Sequence, residues 1–169
     1  MSHARNKVEW CLKKVEREFK KGAKKHRGLL RVKPSIEKAR EHITKAEHNL
    51  EAVFYLKKGG FSDWCASAAF YSMYHALLAI LSKFGYESEN QECTFALIYS
   101  LIEDKKIDLN KEIVYKITSL EPRAQELTTL EIREQYQYGT KTSIQENLYQ
   151  ELLELAKEVI SNAKRIIEE

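Results

Sequence analysis

The chain has 169 residues, with 28 Lys and Arg, 25 Asp and Glu, six Gly and two Pro. That length fits one domain burying roughly 70% of its unfolded surface, and few turn formers beside abundant Leu, Glu, Lys, Ala and Ile exclude a sheet-rich or low-complexity protein. Charge is segregated: residues 1–40 carry fourteen Lys and Arg against four Glu, and residues 41–169 carry fourteen against twenty-one acids.

The fold expected from this composition is all-α, an antiparallel bundle of four to five helices with an additional basic N-terminal helix. Residues 1–33 read as a basic helical arm and linker, and residues 34–169 as the bundle. In the arm, Val8, Cys11, Leu12, Val15 and Phe19 follow the spacing of one apolar helical stripe from about Ala4 to Lys25, and lysines fill the remainder. Such an arm either folds back on its acidic body or on a second copy, or meets nucleic-acid phosphates. Its short apolar stripe, with Trp10 and Phe19 as the aromatics, argues against a membrane surface. The segment HRGLLRVKPS reads as a linker.

Pro34 suits the first turn of a second helix running to about Lys58, where Lys57, Lys58, Gly59 and Gly60 form a stop. Its stripe is Ile36, Ala39, Ile43, Ala46, Leu50 and Val53, and His42 and His48 are expected on its surface. The stretch from Trp64 to Ser82 has no Asp, Glu, Lys or Arg in nineteen residues and is expected to be the buried central helix, capped by Ser62 or Asp63. It is long enough for a bilayer, but Ser67, Ser72, His75 and its small residues suit close packing of neighbouring helices better.

A fourth helix starts at Glu89 or Asn90 and runs to about Glu103, and a fifth from about Leu109 ends or kinks at Pro122. The pattern resumes from Arg123 to Tyr138, followed by a loop over 139–143. Ser143 and Glu146 have the spacing of a capping box for the last helix, whose stripe runs from Ile144 to Ile166. The three cysteines, Cys11, Cys65 and Cys93, are odd in number and far apart, so buried reduced thiols in a cytoplasmic protein are expected. No signal-peptide-like run opens the chain.

Strong catalytic motifs are missing: there is no glycine-rich phosphate loop, His-Glu-x-x-His, Cys-x-x-Cys or Gly-x-Ser-x-Gly. No cofactor or metal is expected. His75 is the one imidazole in the apolar helix, with Tyr71 one turn before it. A core histidine bonded to a carbonyl or hydroxyl is the plain alternative to a functional one. The second candidate is the string Arg133 to Tyr138, where Arg133, Tyr136 and Gln137 share a helix face and offer a cation, a phenol and an amide. Such a set can grip a phosphate and stack a base, or it can simply close a helix end.

The run AAFYSMYHALLAIL, followed by a helix and then by LEIREQYQYGT, resembles the HEPN domains, in particular the small stand-alone prokaryotic type. The resemblance covers roughly Ile36 to Ile167. It implies a helical bundle, usually a homodimer with its cleft near the dimer interface. Many HEPN domains are metal-independent ribonucleases or toxins paired with a nucleotidyltransferase-like antitoxin; others resemble inactive nucleotide- or RNA-binding modules.

The resemblance implies that active members carry an Arg followed, after four to six intervening residues, by a His. Here no His follows His75, and Tyr138 stands at that place after Arg133. A phenol with a pKa of about 10 is a poor base at neutral pH, whereas an imidazole of about 6.5 serves well. The expectation is therefore a nucleotide- or RNA-binding module using Arg133, Tyr136, Tyr138, His75 and Tyr71, with no catalytic residue assigned. The alternatives are a ribonuclease toxin using Arg133 with His75 or Tyr138, and a purely structural interaction module.

Overall fold

The computed structural model describes residues 2–118 and 127–169. Among them, seven α-helices and one two-stranded ribbon follow in the order α1 (His3–Lys20), β1 (Leu29–Arg31), α2 (Ile36–Lys58), α3 (Cys65–Lys83), β2 (Tyr86–Ser88), α4 (Gln91–Glu103), α5 (Lys111–Ile117), α6 (Thr129–Tyr138) and α7 (Glu146–Glu168). The architecture is a helical bundle, as composition and periodicity require. Pro122 and the expected start of a helix at Arg123 lie outside the described residues.

Helix α3 is the centre. Twelve of its residues are buried, and Phe70, Met73, Leu77, Ile80 and Leu81 are at or near zero exposure. Burying side chains of that size stabilises by about 1.5–3 kcal/mol each relative to exposure. Helix α2 packs against one side of α3 and α7 against another. Ala39 and Ala46 of α2 and Ala66, Ala69 and Ala76 of α3 are completely buried, which lets the backbones approach closely. Ser72 Oγ donates to Ala46 O at 2.7 Å and so spends its hydroxyl across that seam. The segment Ser62–Lys83 is long and apolar enough to cross a membrane, but 72% of its apolar window is buried inside the bundle.

Local capping follows the sequence at most helix starts. Ser35, Asn90 and Asn110 accept backbone N–H groups of α2, α4 and α5. Two expectations are corrected. Neither Asp63 nor Ser62 caps α3: both lie in a 3-10 turn, Ser62–Trp64, Trp64 precedes the helix without a side-chain cap, and the Ser62 hydroxyl instead accepts the Ile144 N–H at 3.1 Å. The Ser143–Glu146 capping box does not form, because α7 starts at Glu146 after Gln145, and the Glu146 carboxylate pairs with Lys57. A capping box forms instead between Thr128 and Glu131 at the start of α6.

The N-terminal helix is fastened to the bundle. Cys11 and Cys93 form a disulfide between α1 and α4, so the expectation of three reduced thiols holds for Cys65 alone. The pairing spans 82 residues and depends on how α1 lies against α4, which spacing in the chain does not reveal. Ion pairs Arg5–Asp104 and Lys7–Glu92 flank it. The expected linker contributes β1, which pairs antiparallel with β2. Gly28 passes so close to α1 that a Cβ there would lie 2.8 Å from Cys11 O and from Val15 Cγ2.

Candidate functional site

The exposed strip of α3 is built by helical spacing. Trp64, Ala68, Tyr71 and His75 recur at intervals of four, three and four residues and so share one face. Lys45, Asn49 and Leu56 of α2 stand opposite, and together these side chains line a groove of about 400 Å³. Tyr71 is 39% exposed on a helix otherwise buried in the core, and Trp64, in the 3-10 turn just before that helix, is 50% exposed.

Arg133 reaches this wall from α6. Its Nη1 donates to Tyr71 Oη at 3.0 Å, and its guanidinium carbon lies 4.9 Å from the Phe70 ring centroid and 5.7 Å from that of Tyr71. The residue is 8% exposed, and its Nε is buried without a hydrogen-bond partner. The capping box at Thr128 and Glu131 fixes the helix start one turn before Arg133, and buried Ile132 anchors the adjacent position. This buried cation, stacked on two rings and 3.7 Å from the Glu134 carboxylate, orients the Tyr71 hydroxyl.

His75 continues the groove toward a second cleft. Its Nδ1 lies 3.1 Å from His42 Nδ1, so one imidazole donates a proton to the other. The pair lines a larger concavity of about 650 Å³ that also includes Lys38, Tyr74, Tyr86 and Glu87. Burial, then the neighbouring His75 and Lys38, pull the His42 pKa down to about 4. Burial and Lys45 lower that of His75. Near neutral pH both rings are uncharged, able to give or take a hydrogen bond.

The fold thus brings Arg133, Tyr71 and His75 to one region. Tyr136 is partly buried and packs against the core, and Tyr138, at the last position of α6, is 77% exposed. Neither lines the groove. His42, expected on the surface, is instead half-buried against His75. Lys45, Asn49 and Trp64 were not singled out by the sequence. Their signal was available in the spacing of His42, Lys45 and Asn49 on α2, which repeats the three-and-four pattern of a second, polar face. Among the described residues no group of three or more His, Cys, Asp or Glu is placed to hold a metal ion.

The family model described as HEPN domain matches residues 39–167, most of the chain. The chain belongs to the HEPN domain family. The matched region runs from α2 to the end of α7 and contains the groove, the His42–His75 pair and Arg133. Helix α1 and β1 precede it. No curated protein matches the chain.

Proposed function

We propose that this HEPN domain binds a nucleotide or RNA in the groove between α2 and α3. The observation that carries the reading is the set of side chains gathered there: an exposed indole, a phenol held by a buried arginine, an ammonium, an amide and a neutral imidazole. Exposed rings supply stacking surface for bases, while Lys45 and the Tyr71 hydroxyl suit a phosphate. Arg133 acts through Tyr71 as a positioning residue. The proposal includes a homodimer, supported by exposed Tyr55 and Phe61 at the α2–α3 turn. It extends to a nucleotidyltransferase-like partner in a toxin–antitoxin-type pair, the assembly that the family resemblance implies.

The test is titration of the purified chain with adenosine monophosphate and with a labelled single-stranded RNA, beside Lys45→Gln and Trp64→Ala. Both substitutions are expected to weaken binding about tenfold, since a stacked base contributes about 1–3 kcal/mol. Undiminished binding in both variants overturns the groove.

One observation favours a second reading. His75 and Arg133 flank the same tyrosine, so an imidazole and a guanidinium are brought together without the usual motif spacing. A neutral His75 suits a general base for the 2′-hydroxyl of RNA. Cleavage of RNA in the presence of a chelator, lost in His75→Ala and in Arg133→Lys, would establish the ribonuclease. Intact RNA in the wild type rejects it.

A further inference from the structure

We infer that the outward face of α1 is a second docking surface, for the phosphate backbone of single-stranded RNA. The helix has three sides. Ala4, Cys11 and Val15 are buried against the bundle. Glu9 and Glu16 share a second side with the shallow pocket beside β1. The third side, set by the helical spacing of Trp10, Lys14, Arg17 and Lys21, carries no carboxylate, and Lys13 stands at its edge beside Glu9 and Glu16.

The docking of α1 leaves this third side free. Among the described residues, Arg5 and Lys7 are the α1 cations that pair with acids of the body, and Lys13, Lys14, Arg17 and Lys21 have no ion-pair partner. Trp10 is 45% exposed in the middle of the strip. Lys7 and Lys14 hold ammonium groups 4.5 and 5.5 Å from its ring centroid. A base laid against the indole therefore brings its phosphate within reach of a cation. Residues 41–169 carry fourteen Lys and Arg against twenty-one acids, so a long polyanion finds complementary charge on the N-terminal part of the chain that carries this strip. The disulfide and β1 hold the strip in place instead of leaving it as a tail.

The inference takes RNA as the ligand from the groove reading, and the chain's two tryptophans separate the tests, one standing on each surface. In the full-length Trp64→Phe variant the remaining emission belongs to Trp10. Titration with a single-stranded 12-mer RNA is expected to quench it. The logarithm of the binding constant should fall with the logarithm of salt concentration with a slope of about −3, because four phosphate contacts, one at each of Lys13, Lys14, Arg17 and Lys21, contribute about −0.7 each. Lys14→Gln, Arg17→Gln and Lys21→Gln together should reduce the slope by about 2 with an unchanged melting curve.

Unchanged Trp10 emission, or an unaltered slope in the triple variant, overturns the inference. So does a blue shift with phosphatidylserine vesicles but no response to RNA, which would make α1 a membrane-facing helix. If the groove reading alone fails, Lys45→Gln leaves affinity unchanged while the Trp10 response and the salt slope persist.

Discussion

Arg133 Nη1 donates a 3.0 Å hydrogen bond to Tyr71 Oη across 62 residues of chain, tying α6 to the exposed face of the central helix. The bond fixes the direction of the one phenol that both lines the groove and touches a buried cation.

Tyr71→Phe removes the hydrogen-bond acceptor of this nearly buried guanidinium, leaving it the Glu134 carboxylate at 3.7 Å, and should destabilise the protein by about 1–3 kcal/mol. Arg133→Ala also removes the stacking on Phe70 and Tyr71 and should cost more, about 2–4 kcal/mol. In the Arg133→Ala background Tyr71→Phe should be nearly neutral. Urea unfolding of the four proteins completes the cycle, and additive losses would mean that the bond contributes nothing.

Acid should unfold the protein through the imidazole pair. The folded-state pKa of His42 is about 4, well below the ordinary histidine value, and that of His75 is lowered as well. As pH falls below about 6.5 the unfolded chain takes up protons that the folded chain refuses, so stability is lost progressively between about 6.5 and 4. Lys38 and Lys45 add to the refusal and Glu41 opposes it. His42→Gln should flatten the dependence of the urea midpoint on pH over this window, and an equal slope in that variant would count against the pairing.

The disulfide is testable chemically. Native protein treated with iodoacetamide without reductant should remain unlabelled, since Cys65 is buried and its thiol is pushed up to about 11. After unfolding, one site should label. Reduction should lower stability substantially, because closing a loop of this separation contributes about 4.5 kcal/mol in the chain-entropy account. Three labelled cysteines in unreduced, unfolded protein would contradict the bond.

Gly85→Ala should destabilise the junction of α3 and β2. Gly85 has a φ of +78°, and a Cβ there would approach Val32 O to 2.8 Å and Pro34 Cγ to 3.0 Å. Strain of this kind costs about 1–3 kcal/mol. A thermal melt unchanged from wild type would show that the turn relaxes freely.

The helices were legible because their apolar stripes are local. The spacing of Ala39, Ile43, Ala46 and Val53 alone predicts α2, and the charge-free run predicts α3 as the core. What escaped was tertiary. Cys11 meets Cys93 only because α1 lies along α4, and His42 meets His75 only because α2 and α3 pack face to face. Leu29 looked like linker, yet β2 gives its backbone a partner at Ser88 and its side chain is fully buried. At the site, Arg133, Tyr71 and His75 were visible as residue types, but the groove needed the α2 face bearing Lys45 and Asn49.

The central claim, that the α2–α3 groove takes a nucleotide, is tested most directly by the emission of Trp64 in a Trp10→Phe variant. Titration with a short single-stranded RNA and with adenosine monophosphate should quench that emission saturably, with the quench weakened about tenfold by Lys45→Gln. An emission that stays flat while the RNA binds would place the ligand elsewhere and contradict the account.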